Sequence, residues 1–167
     1  MNINNPENKP LYIMLIGIPG SGKSTFRHNF IKEHPDFVTI SSDDYIEKEM
    51  KKQNLTYQQY FNYMTREEWT DIHNNLKDKT IEAVKKNKNI IVDLANLTKR
   101  NREKKIIYIP DYYYKIAIVF HVNLNEAINR DKTRKISHEI PYEVIKNMYK
   151  KFEYPIEEFF DEVIDIK

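Results

Sequence analysis

Short, nearly continuous apolar runs alternate along this chain with longer polar stretches in which apolar residues recur at helical spacing. Residues 11–18 form an unbroken apolar run, the pattern of a central parallel strand buried on both faces. Residues 37–40 predict a short second strand, followed by a charged helical stretch over 43–52. Over 66–87 the apolar positions Trp69, Ile72, Leu76, Ile81 and Val84 fall on one helical stripe, which places Trp69 in the core rather than against a ligand. Residues 89–94 and 114–122 read as third and fourth strands. Residues 124–131 read as a helix, Pro141 opens another at an N1-like position running to about 151, and 162–166 form a weak final edge strand.

Strands alternating with helices imply an α/β fold: a central parallel sheet of four to five strands with helices on both faces, in three layers. No repeat, low-complexity linker or glycine-rich hinge divides the sequence. The expected organisation is a flexible polar tail over 1–9 and a single domain over 10–167, with a small lid around 130–140.

Composition narrows the possible functions. A net charge of +2 is too small to imply nucleic-acid binding by itself, so any basic surface must be local. With no cysteine there is neither disulfide nor thiolate metal site, which fits a reducing cytoplasm. No apolar run approaches the length of a membrane span. The five histidines show no metal-ligand spacing and read as ordinary surface or core residues.

The chemistry enters at Gly17-Ile-Pro19-Gly20-Ser21-Gly22-Lys23-Ser24-Thr25, which fits GxxxxGK[ST] directly after the first strand. All three glycines of the chain lie here. Gly17, Gly20 and Gly22 let the backbone turn so that successive N–H groups face a β-phosphate, and Lys23 brings a point charge to the β- and γ-phosphates. The Ser24 hydroxyl is placed to ligate Mg²⁺, and a helix starting at Ser24 would point its N-terminal dipole at the nucleotide. The expected donor and cofactor are therefore ATP and Mg²⁺.

The rest of the chain selects among P-loop classes. A regulatory GTPase needs an NKxD motif after a late strand, and Asn87-Lys88-Asn89-Ile90 precedes a strand and lacks the acid. Motor ATPases carry an acidic pair after an apolar strand, whereas Leu94 follows Asp93. A small kinase fits better, because Asp43 and Asp44 stand at the end of the second strand, where a carboxylate can align a hydroxyl and take its proton. We assign the chemistry to Asp43 and a helix N-cap to Asp44. Arg130 and Arg134 would be one turn apart if their helix continues, and could meet ATP together or merely favour the helix dipole. At the third strand's carboxyl end, Asp93 and Asn96 should look into the crevice, Asp93 holding Mg²⁺ through water or orienting Lys23. Thr98 caps the next helix, whose Lys99, Arg100 and Arg102 either grip an acceptor phosphate or solvate an amphipathic face.

Taken in order, GIPGSGKSTF, IKEHPDF, SSDDY, IIVDLANLTKRNRE, NRDKTRK and IPYEVIKNMYKKFEYP resemble the polynucleotide 5′-hydroxyl kinases, in particular the bacteriophage kinase domain, over nearly the whole chain. The resemblance implies transfer of the γ-phosphate of ATP to the 5′-hydroxyl end of RNA or DNA, as in nucleic-acid repair. It implies Asp43 as general base, Lys23 and Ser24 on phosphates and Mg²⁺, and Arg130 and Arg134 on ATP. The phage enzyme's phosphatase module is not among these residues, so a separate phosphatase or ligase would be the expected partner. Ser42 and Ile46 stand where the phage enzyme has arginines, which keeps a small-molecule kinase with a nucleoside, nucleotide-sugar or sugar-acid acceptor as the alternative, and a non-catalytic nucleotide-binding regulator as a third reading.

Overall fold

The computed structural model describes residues 5, 8–133, 140–156 and 159–167, with the side chains of residues 44, 57, 58 and 61 outside the description. Its centre is a five-stranded, all-parallel sheet in the order β2-β3-β1-β4-β5. The strands are β1 Leu11–Ile16, β2 Val38–Ser41, β3 Ile90–Asp93, β4 Tyr114–Phe120 and β5 Glu162–Ile166.

The continuous apolar runs have their cause here. β1 lies between β3 and β4, and both of its faces are covered, so Tyr12, Met14 and Ile16 enter one core cluster while Ile13 and Leu15 enter another. The first face carries α2 (Asp43–Gln53), α4 (Arg66–Lys85) and α5 (Lys99–Ile106) through Ile46, Met50, Ile72, Leu76 and Ile106. The second carries α1 (Lys23–Glu33) through Phe30. A third cluster joins Ile18, Leu97, Ala127, Ile128 and Ile145, packing α6 (Leu124–Lys132) and α7 (Tyr142–Lys150) beside the first loop. The fold is α/β with helices on both faces of the sheet. No helix among the described residues is long and apolar enough to cross a membrane.

One element lies outside the sequence expectation: a short helix, α3 (Tyr57–Tyr63), between α2 and α4. Thr56 and Thr65 each accept a hydrogen bond from a backbone N–H three residues on, and Gln59 and Glu68 reach back to the cap residues, so α3 and α4 both open on a capping box. The expected cap at Asp44 is corrected. The N-cap position is Ser42, α2 begins at Asp43, and Asp44 is already its second residue. Thr98 does cap α5, accepting from Asn101 N–H.

Candidate active site

Parallel register gathers the chemistry at one end of the sheet. Leu15 and Ser41 both pair with Asp93, so the carboxyl ends of β1, β2 and β3 finish in one row. The loop after β1, Asp43 after β2 and Asp93 in β3 consequently face the same crevice.

The first loop is shaped by two different constraints. Gly20 and Gly22 have φ of +77° and +100°, torsions that L side chains rarely adopt, while Gly17 does not have positive φ and is limited by space. A Cβ on Gly20 would lie 2.3 Å from the Ala127 carbonyl oxygen, whereas one on Gly22 would meet open space. Gly20→Ala is therefore expected to cost about 2–4 kcal/mol, torsion plus collision, and Gly22→Ala only about 1–2. Denaturant midpoints of the two variants check this, and equal losses would place the cost in torsion alone.

Gly22 is the N-cap of α1 and supplies no capping side chain, and the first turn of α1 holds no acidic residue. Its leading N–H groups thus carry no carboxylate from their own turn, the arrangement that suits a phosphate. The Lys23 ammonium is buried and donates to the Ile18 carbonyl at 2.8 Å, and it stands 3.4 Å from Ser21 Oγ.

Two cavities meet at this loop. One, of about 400 Å³, is lined by Lys23, Ser24, Asp43, Asp93 and Trp69, with the apolar Ile46, Val144 and Met148 among its walls. The other, of about 600 Å³, runs along residues 20–26 to Arg130, His121 and Lys167. Lys23 and Ser24 belong to both. One cavity holds the candidate base, Asp43, whereas the other holds the candidate phosphate cation, Arg130.

The remaining sequence candidates separate. Asp93 is buried and its Oδ2 lies 3.0 Å from Arg27 Nε, off the in-line direction, so the two meet as an ion pair rather than a straight hydrogen bond. Asn96 does not line the crevice. Its side chain is buried, donates to Leu15 O at 2.7 Å and Leu94 O at 3.1 Å, and its φ of +51° turns the chain after β3. Arg102 is fully buried and donates to the carbonyls of Asn96, Leu97 and Glu153, tying α5 to the segment after α7. Arg100 is exposed on α5 and lines neither of these cavities. Arg130 pairs with Glu126 and reaches the Gly20 carbonyl at 3.5 Å. α6 spans Leu124–Lys132 with Thr133 at its C-cap, and Arg134 lies outside the described residues together with the rest of 134–139.

Two residues at the crevice were read otherwise from the sequence. Trp69 is half-buried and lines the Asp43 cavity, and the stripe of α4 enters the core only from Ile72 onward. His121 follows β4 and lines the Arg130 cavity, where it is paired with Asp165. Asp165 also accepts from the Tyr154 hydroxyl at 2.9 Å, and the His121 hydrogen bond holds its carboxyl below the usual carboxylate range. The position of His121 just past a strand's carboxyl end was the available signal.

A family model described as AAA domain matches residues 12–155, which span the first loop, both carboxylates and α7. The chain belongs to the AAA domain family. Among curated proteins this AAA domain is 29% identical over 155 residues to the "Putative bifunctional polynucleotide kinase/RNA ligase" of Autographa californica nuclear polyhedrosis virus, covering 88% of this chain and 21% of that one. Among solved structures it superimposes on a chain of the Pnkp1/Rnl/Hen1 RNA repair complex with a TM-score of 0.68 at 24% identity, over 90% of this chain and 46% of that one. A gluconokinase from Sinorhizobium meliloti gives a TM-score of 0.58 at 16% identity, over 94% and 82%. The AAA domain thus has a P-loop kinase fold, and it spans about a fifth of the length of the curated relatives it matches.

Proposed function

We propose that this chain is an ATP- and Mg²⁺-dependent kinase that phosphorylates the 5′-hydroxyl end of RNA or DNA. The observation that carries the reading is the pair of cavities sharing Lys23 and Ser24 as their common wall, with Asp43 on one side and Arg130 on the other. A donor lying along residues 20–26 would present its terminal phosphate at that wall, and an acceptor hydroxyl beside Asp43 would face it from the opposite side.

The protein's tasks in such a transfer are position and charge. Asp43 orients the hydroxyl and takes its proton as the new oxygen–phosphorus bond forms and the bond to the bridging oxygen of the donor breaks. Lys23 exchanges its hold on the Ile18 carbonyl for the phosphates, and the N–H groups opening α1 receive the remaining charge. Arg130, and Arg134 beyond the described residues, contribute cations on the donor side. Ser24 would hold Mg²⁺, which neutralises charge between the phosphates. The glycine turn and the uncapped helix start fit that anionic load.

Two relatives with polynucleotide kinase or RNA repair in their names, each matched over most of this chain, support a nucleic-acid end as acceptor and a ligase as partner in the same repair. A small-molecule kinase is the second reading, favoured by the uncharged Ser42 and Ile46 in the acceptor cavity and by the gluconokinase likeness. Transfer of labelled γ-phosphate to 5′-hydroxyl RNA and DNA, 3′-mononucleotides, nucleosides and sugar acids decides between them. Labelled oligonucleotide is the expected result, and label confined to a small molecule would overturn it.

A further inference from the structure

A third cavity, of about 480 Å³, lies on the sheet face between α4 and α5 and belongs to no role assigned above. Tyr12, Ile40, Leu76 and Val92 line it as an apolar floor, and Lys77, Lys104 and Lys105 stand around it. No carboxylate among the described residues lines it. It adjoins the acceptor cavity, since Leu94 lines both.

Helix-end solvation explains only part of this. Lys104 and Lys105 occupy the last turn of α5, where cations favour the dipole, and Lys105 Nζ donates to Asn101 O at 3.0 Å. A lysine that merely solvates a helix end keeps its ordinary proton affinity. Burial instead holds Lys105 down to about 8, with Lys104 and Arg102 adding repulsion. Lys77, from the opposite helix, lies 5.3 Å over the Tyr108 ring, which joins a cation and an aromatic face at the same cavity. Three cations converging on an apolar-floored space without a counter-charge define a receptor for a ligand that is anionic at one end and flat and apolar at the other.

The acceptor cavity needs such an annex. Its own walls carry Asp43 and Asp93, with Lys23 committed to the donor side in the proposed transfer, and Ser42 and Ile46 offer no charge to a nucleic-acid backbone. We propose that the third cavity holds the second nucleotide of the acceptor strand, with its base on the apolar floor beside Tyr108 and its 3′-phosphate among Lys77, Lys104 and Lys105. Stacking together with backbone neutralisation is how single strands are held without sequence preference. The inference rests on the polynucleotide reading and names how the strand beyond its reacting end is gripped.

Lys77 and Lys104 are exposed and lie outside the transfer machinery, so Lys77→Ala/Lys104→Ala should melt as the parent does. A 5′-hydroxyl trinucleotide and a 3′-mononucleotide are compared as acceptors, alongside trinucleotide binding by fluorescence anisotropy over a salt series. The double variant is expected to raise KM for the trinucleotide about tenfold or more, to flatten the salt slope by about 1 to 2, and to leave kcat and KM for the mononucleotide unchanged. Lys105→Met, which keeps the apolar stem, should act in the same direction. Transfer to the trinucleotide with unchanged KM in both variants would overturn this inference and leave the kinase reading standing. Trinucleotide bound by the parent and released by the variants, with no phosphate transferred, would uphold the cavity and overturn the kinase reading. Transfer to a small acceptor with no trinucleotide binding would overturn both.

Discussion

Replacing Asp43 with Asn is expected to lower phosphoryl transfer by roughly 10² to 10⁴ while leaving nucleotide binding unchanged. The substitution keeps the shape of the side chain and a capacity to hydrogen-bond, and removes its negative charge and with it the ability to accept a proton. Backbone position is secured separately, because the Asp43 N–H donates to Ser41 Oγ at 3.2 Å. Asp43 also lines the cavity away from Arg130, so its loss should fall on kcat and acceptor use rather than on the donor. Single-turnover transfer and nucleotide titration on the same preparation measure both halves. Normal turnover in the variant would remove Asp43 from the chemistry and return it to a purely structural place at the head of α2.

A stability effect of comparable weight is expected at Arg27. Its side chain and that of Asp93 are 10% and 3% exposed, so each is the other's substitute for water. Arg27→Met should cost about 3–5 kcal/mol, because it leaves a buried carboxylate without its counter-charge. For a chain of this size that is a fall in Tm of roughly 6–20 °C. Arg27→Met combined with Asp93→Leu should recover much of the loss, since replacing both partners of a buried pair costs far less than orphaning one. Thermal and denaturant melts of the three variants check the cycle. An Arg27→Met protein as stable as the parent would mean that the ion pair contributes nothing net to the fold. The same pair bears on function, for it anchors to α1 a carboxylate that also lines the cavity of Lys23, Ser24 and Asp43.

Strand positions were readable because all-parallel sheets bury both faces, so β1, β3 and β4 carry nearly continuous apolar runs. α3 was not, since seven residues carry too little periodicity, although the Thr56/Gln59 and Thr65/Glu68 boxes mark both helix starts locally. The glycine loop was legible as a motif because its constraints are torsional and local. Asn96 and Arg102 were misplaced for the opposite reason. Their partners, Leu15 and Glu153, lie 81 and 51 residues away, and a polar residue near a strand end looks the same in sequence whether it faces a substrate or props a backbone. Trp69 shows a similar limit, because helical spacing reports which side of α4 it occupies and not whether that stretch of the side meets the core or a cavity.

The wall formed by Lys23 and Ser24 is a partition only two residues wide. A single molecule whose halves are joined through a short anionic tether could occupy both chambers at once. Its second half would then bind at an effective concentration in the millimolar range, set by the tether rather than by the bulk solution. Avidity would peak at the tether length matching the distance across the partition and collapse for anything shorter. A ladder of such bridged compounds would act as a ruler for the gap that a phosphoryl group must cross.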